Sequence, residues 1–328
     1  MNSDIELKLI PFSEIESQEI QWLWYPYIPL GKITIIQGDP GEGKTTLGLR
    51  LAAACSNGYG FPGMEYRKPI NVIYQTAEDG LGDTIKPRLL EAQANIDRIY
   101  TIYEDTDILT LKDKRIEEAI IATGAQLMIF DPIQGYVGED TDINRANEIR
   151  TVMRRIAKIA EQTNCAIIFI GHLNKMKGTH SAYRGLGTID FRASARSVLL
   201  VGRLDKSPNV RVIVHDKSSL APEGKSIAFN LGNEEGFQWL EGYDNVTADQ
   251  LLCGTAIETK TEIAEVLIRE MLSSGEFVPS EKIYAQAKEK NISQRTVSEA
   301  KLKINGIETK KIGKVWYWKI PNNETCTD

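Results

Sequence analysis

The chain has 328 residues, a net charge of −6, and 42% hydrophobic and 26% charged side chains. That is enough chain for one large domain and a small one, in the proportions of an ordinary soluble protein. No apolar run approaches the roughly 18 residues of a membrane span, and the start, MNSDIELKLI, lacks a basic region followed by an apolar one. A cytoplasmic protein with no membrane partner is therefore expected. Cys55, Cys165, Cys253, Cys326 and three histidines are dispersed without a C-x-x-C, which argues against a disulfide framework or structural zinc. The acidic balance argues against a polyanion coat over the whole surface but leaves room for a local basic groove.

In chain order, ITIIQ at 33–37 reads as a buried strand running into GDPGEGKT, which fits G-x-x-x-x-G-K-[ST]. TTLGLRLAAACSNG then reads as a helix stopped at Asn57–Gly58. Gly38, Gly41 and Gly43 let the backbone curl so that its N–H groups face phosphate oxygens. Lys44 is expected against the β- and γ-phosphates of ATP, and Thr45 would offer its hydroxyl to Mg2+. The nucleotide-binding segment is Gly38, Asp39, Pro40, Gly41, Glu42, Gly43, Lys44, Thr45 and Thr46.

INVIYQTAED supplies the next strand, with Glu78 just past its end. In a parallel sheet that carboxylate lies beside the γ-phosphate, where it can polarise water as a general base. Asp79 competes for the same role, and a solvated turn is the plainer alternative. RIYTIY is a further strand. AQLMIFD ends on Asp131, the position of an acid that holds the magnesium shell. CAIIFIG ends at His172, which can report the γ-phosphate to the loop behind it. That loop carries Lys175, Lys177 and Arg184 among glycines, the composition of a solvated loop or of a surface for single-stranded DNA.

Apolar strands alternating with helical segments such as INRANEIRTVMRRIAKIAEQTN imply a parallel sheet covered on both faces. SVLLVGR, NVRVIVHD, SIAFNLG and GFQWLE suit an antiparallel extension. Past a polar stretch near 245–258, three helical segments precede a strand pair around ETKKIGKVWYWKIP, the winged-helix arrangement. The domains are thus expected at 1–250 and 251–321, with a frayed tail at 322–328. From Lys282 to Lys319 there are ten basic and three acidic residues. SQRTVSEAKLKI would be a recognition helix placing Arg295 and Lys301 near a DNA groove, with KKIGKVWYWK as the wing. Tyr317 alternates with Trp316 and Trp318, so one face of that strand is expected in a core.

The blocks WYPYIPLGKITIIQGDPGEGKTTL, YQTAEDG, LMIFDPIQGY, GHLNK, RGLGTIDFRASARSVLLVGR and KSSLAPEGKSIAFNL, in this order, resemble the RecA-like ATPases. Within these they resemble the plasmid RepA-type hexameric helicases. The resemblance implies a RecA-like P-loop NTPase core plus a C-terminal winged helix. It also implies a homo-oligomeric ring, expected to be a hexamer, with ATP between subunits and single-stranded DNA in its channel. It puts the catalytic glutamate at Glu78, the metal-holding acid at Asp131, the phosphate sensor at His172 and the channel loop on 173–188. Lys217, in HDKSS, would reach into the neighbour's site. Ser219 stands where related helicases add an arginine, which leaves Arg196, Arg203 and Arg211 as finger candidates. GYVGEDTD, where another channel loop would lie, is acidic. The expected function is an Mg2+-dependent ATPase translocating, unwinding or remodelling DNA of a mobile element. An ATP-switched DNA-binding regulator is the alternative, and a small-molecule kinase ranks last.

Overall fold

The computed structural model describes residues 9–65, 67–105, 107–138, 146–173, 189–204, 207–231, 236–253, 260–304, 306–313 and 315–321. The loop with Lys175, Lys177 and Arg184, and the tail 322–328, lie outside the described residues. The chain opens with a hairpin, Trp22–Trp24 (β1) and Ile28–Pro29 (β2), and continues through Ile33–Gly38 (β3), Lys44–Asn57 (α1), Val72–Thr76 (β4), Lys86–Glu91 (α2) and Ile99–Tyr100 (β5). Next come Arg115–Thr123 (α3), Leu127–Asp131 (β6), Ala146–Thr163 (α4), Ala166–His172 (β7) and Ile189–Ser194 (α5). Ser197–Leu204 (β8), Ser207–Ser218 (β9), Ile227–Asn230 (β10), Gln238–Leu240 (β11) and Ala248–Cys253 (α6) complete the larger part.

β1 and β2 pair by themselves, and β3 to β11 form one nine-stranded sheet in the order β11-β10-β9-β8-β3-β7-β6-β4-β5. β8, β3, β7, β6, β4 and β5 run parallel. β9, β10 and β11 add an antiparallel flank. The parallel sheet with an antiparallel extension expected from the sequence is what forms.

Successive residues of a strand face opposite sides, so the continuous apolar runs bury both faces. Ile33, Ile35, Met128, Phe130, Ile167 and Phe169 pack beneath α3 and α4. In α4, Ile149, Val152, Met153, Ile156, Ile159 and Ala160 recur at helical spacing and line the buried stripe. Ile36, Tyr74, Leu127, Ile129, Ile168 and Ile170 face α1 and the aromatic hairpin β1–β2. α1 stops where the sequence placed its stop: Gly58 is left-handed (φ 77°) and its N–H returns to Ala54 and Cys55 carbonyls.

A second core gathers Leu267, Ile268, Ile283, Val297 and Trp318. It joins Lys260–Met271 (α7), Val278–Pro279 (β12), Ser280–Glu289 (α8), Gln294–Lys303 (α9), Glu308–Ile312 (β13) and Val315–Lys319 (β14). Its sheet has three strands, order β12-β14-β13, where the sequence suggested two. β12 is only two residues long and carries no pattern of its own. α6, across which the sequence drew the domain boundary, packs Leu251 and Leu252 on the larger part.

Candidate nucleotide site

β3 delivers the glycine-rich loop at its C-terminal end. Gly41 and Gly43 take φ of 79° and 81°, left-handed values that a side chain disfavours. Gly38 lies so close to β8 that a Cβ there would run into the Val201 carbonyl. Gly43 begins α1, and no side chain caps that helix N-terminus, which leaves its partial positive charge open to an anion.

Lys44, only 4% exposed, folds back over the loop. Its Nζ donates to the carbonyls of Gly38 (2.9 Å) and Asp39 (2.8 Å). Burial lowers its pKa, against the pull of Asp131, Asp39, Glu42 and Glu78. Asp131, at the end of β6, is buried. It accepts from Tyr74 Oη at 2.7 Å and is hydrogen-bonded by the Thr45 side chain. Burial pushes its carboxyl up, with the Thr45 and Tyr74 bonds and Lys44 opposing.

Strand order gathers the rest. β3, β7, β6 and β4 are consecutive neighbours, Gly38 pairs with His172 and Thr76 pairs with Asp131. Glu78 follows β4 by two residues and is exposed. Its charge acts on both Lys44 and His172. Asp79, its rival, is 3.4 Å from Arg88 and bonded to Thr76, and its charge acts on Asp131 and Tyr74. Burial first, and the Lys44 ammonium second, lower the His172 pKa, so its ring is neutral at pH 7. His172 Nδ1 is buried without a partner among the described residues. Lys44, Thr45, Glu78, Asp131 and His172 thus lie together at the ends of neighbouring strands.

Two features were not foreseen. Tyr74 reads in sequence as one more aromatic of a buried strand, and only the pairing of β4 with β6 brings it to Asp131. Glu42 is gripped from β8 and β9: Arg203 Nη2 lies 2.9 Å from Oε1 and Arg211 Nε lies 3.2 Å from Oε2. Arg211 is 6% exposed. Burial lowers its pKa and Glu42 opposes that shift. Two of the three finger candidates therefore brace their own chain's loop.

The third, Arg196, is exposed. Its N–H bonds the carbonyl of Ile33, the first residue of β3, so it lies at the sheet edge opposite the loop. Lys217 lies near it, opposite Val198. Lys217 Nζ donates to the carbonyls of Arg192 (2.8 Å), Ala193 (3.3 Å) and Ala195 (2.8 Å) at the end of α5. In the second core, Arg295 is exposed and sits 3.1 Å from Glu299 and 3.5 Å from Glu241. Lys301 Nζ lies 4.6 Å from the centroid of the Trp318 ring.

The family model for the AAA domain matches residues 6–178, a little over half of the chain, including every residue of this convergence. The chain belongs to the AAA domain family. Beyond this family match, its sequence is similar to RecA-like P-loop ATPases. Protein RecA from Clostridium beijerinckii is 26% identical over 230 residues, 64% of this chain and 59% of the relative. DNA repair protein RadA from Halalkalibacterium halodurans is 31% identical over 147 residues, 44% of this AAA-domain chain and 28% of the relative. The chain thus spans less than two thirds of the length of these curated relatives. Among solved structures, the ATPase domain of G40P (TM-score 0.48) and a DnaB-like replicative helicase (TM-score 0.49) each align at 16% identity. They cover 64% and 66% of this chain, and 84% and 58% of their own.

Proposed function

We propose that this protein is an Mg2+-dependent ATPase that couples hydrolysis to movement or remodelling of DNA in replication or recombination, on a mobile element. The observation that carries this is the convergence of Lys44, Thr45, Glu78, Asp131 and His172 at the ends of neighbouring parallel strands. The Thr45 hydroxyl and the Asp131 carboxylate are hard oxygen donors. Among the described residues no group of three or more His, Cys, Asp or Glu could hold a metal. Two oxygen ligands beside a phosphate site fit Mg2+, which takes one or two protein ligands and keeps phosphate oxygens and waters. When bound, Mg2+ neutralises charge on the β- and γ-phosphate oxygens.

The chain's own groups do the rest. Lys44 exchanges its loop carbonyls for phosphate oxygens. Glu78 takes a proton from the attacking water as the new P–O bond forms, and the bond to the bridging oxygen breaks to release ADP. Neutral His172 offers its unpartnered Nδ1 to the phosphate and links it to the loop beyond β7. Hydrolysis of this kind is mostly positioning and charge stabilisation.

A cytoplasmic homo-oligomeric ring, taken as a hexamer, is supported by the opposite placement of the loop and of Arg196 and Lys217. In this reading Arg196 is the residue that reaches a neighbour's nucleotide, and Lys217 does so only by leaving the carbonyls of Arg192, Ala193 and Ala195. Leu9, Ile10, Phe12 and Ile15 are exposed on an N-terminal arm with no buried residue in its short helix, which suits an arm covered by another copy. DNA as partner is supported by the RecA and RadA likeness and by the basic C-terminal unit, read as a winged helix with Arg295 and Lys301 on its recognition helix. The loop with Lys175, Lys177 and Arg184 is the proposed contact for single-stranded DNA in the channel. The test is the steady-state ATPase rate with and without single-stranded DNA at two salt concentrations. Several-fold, salt-sensitive stimulation is expected. A flat response overturns the motor reading in favour of an ATP-switched regulator.

A further inference from the structure

The C-terminal sheet has two unlike faces. Antiparallel partners share a face, so the pairing of Trp318 with Thr309 and Val278 puts these three together, and Trp318 lies in the core against Tyr284. The pairing of Tyr317 with Lys310 and Pro279, and of Lys319 with Glu308, builds the other face. Neither Tyr317 nor Phe277, just ahead of β12, belongs to the core. Phe277 is 38% exposed. Lys310 Nζ and Lys319 Nζ stand 5.9 Å and 5.6 Å from its ring centroid.

Lysines on an edge strand such as β13 are a common guard against unwanted strand pairing. That guard needs only the lysines. It does not account for an aromatic ring left outside the core with two ammonium groups over it. Flat rings flanked by cations on an open sheet are the chemistry that receives unpaired bases, which stack on the rings while the cations meet the phosphates. A duplex keeps its base faces inside its own stack, and the carboxylates of an acidic peptide would meet the ammonium groups without using the rings.

We propose that this outer face binds single-stranded DNA, with bases stacked on Phe277 and Tyr317 and phosphates held by Lys310 and Lys319. The site is separate from the channel loop and from α9, and it rests on the reading of DNA as the partner. Glu308 shares the face opposite Lys319 and limits the charge there to a strand lying along Lys310 and Phe277.

The test uses the full chain, a fluorescent oligo-dT and a duplex of equal length, with anisotropy followed across a salt series. In Lys310→Glu/Lys319→Glu, oligo-dT affinity is expected to fall about tenfold or more, and the slope against log salt to flatten by about 1.4, two phosphates at 0.7 each. In Phe277→Ala the affinity is expected to fall about tenfold with the slope unchanged, because a stacking surface and no charge is lost. The lysines are at the surface, so the double variant keeps the test decisive even if Phe277→Ala fails to fold. In both variants the duplex affinity should fall far less than that for oligo-dT. Unchanged oligo-dT affinity in both overturns the proposal, as does an equal loss for oligo-dT and duplex. If the unaltered protein binds neither DNA, the partner reading falls first and this site with it.

Discussion

Tyr74 donates to Asp131 at 2.7 Å inside the protein, across two strands that pair in register although the residues are 57 apart. The phenol is buried, its pKa raised by burial and then by Asp131, so it remains a donor at any working pH. It supports the carboxylate from behind, while the Thr45 hydroxyl meets the same carboxylate from the loop.

Tyr74→Phe keeps the ring and removes the donor. A buried hydrogen bond to a charged group is worth roughly 1.5–3 kcal/mol. The variant should need several-fold more Mg2+ for half-maximal turnover while still saturating with ATP. Titrating Mg2+ against both nucleotide binding and hydrolysis checks this. An unchanged Mg2+ requirement would mean the phenol serves packing alone.

Glu42→Ala removes the carboxylate facing the Arg211 guanidinium, which is 6% exposed and, among the described residues, keeps only the carbonyls of Pro208 and Val210. Breaking a buried pair costs about 3–5 kcal/mol. Arg203→Ala removes a half-exposed partner of the same carboxylate and should cost no more than about 1 kcal/mol. Urea unfolding of the two variants side by side tests the ranking, and equal losses would contradict it.

Glu78→Gln keeps the size and removes the proposed base. ATP affinity should persist and turnover fall about 10²–10⁴-fold. Turnover near the unaltered rate would move the base elsewhere.

In the proposed ring, with Arg196 as its finger, Arg196→Ala and Lys44→Ala subunits should each be inactive alone and regain activity when mixed, since one would supply the loop and the other the arginine. In a randomly mixed ring about a quarter of interfaces are whole. No recovery on mixing would place the arginine outside the neighbour's site.

His215, 3% exposed, accepts from Gly224 N–H through Nδ1 and bonds Ser197 Oγ through Nε2. Burial lowers its pKa from 6.5 to about 4. The folded ring is neutral while the unfolded ring takes a proton below 6.5. Its contribution to stability is therefore full above about pH 6.5 and is lost as pH falls toward 4. The loss at pH 5 is about 2 kcal/mol. Urea midpoints at pH 7 and pH 5 measure it, and His215→Gln should flatten the dependence.

What the sequence determined alone lies within single stretches of chain. The glycine-rich loop is a contiguous backbone pattern. Asp131 and His172 each close an apolar strand, and Glu78 follows one, so their placement at a sheet edge needs only the strand's direction. The stop of α1 at Gly58 is equally local. Tertiary structure decided what depends on which strands are neighbours. β9 lies beside β8, and β8 beside β3, which brings Arg203 to Glu42 across 161 residues and turns two candidate fingers into braces. β4 lies beside β6, which makes Tyr74 the partner of Asp131. Periodicity tells a strand which of its sides are buried but not which strand lies next to it, because any apolar strand can cover another. Neighbour order emerges only when loops, helices and both faces are packed at once.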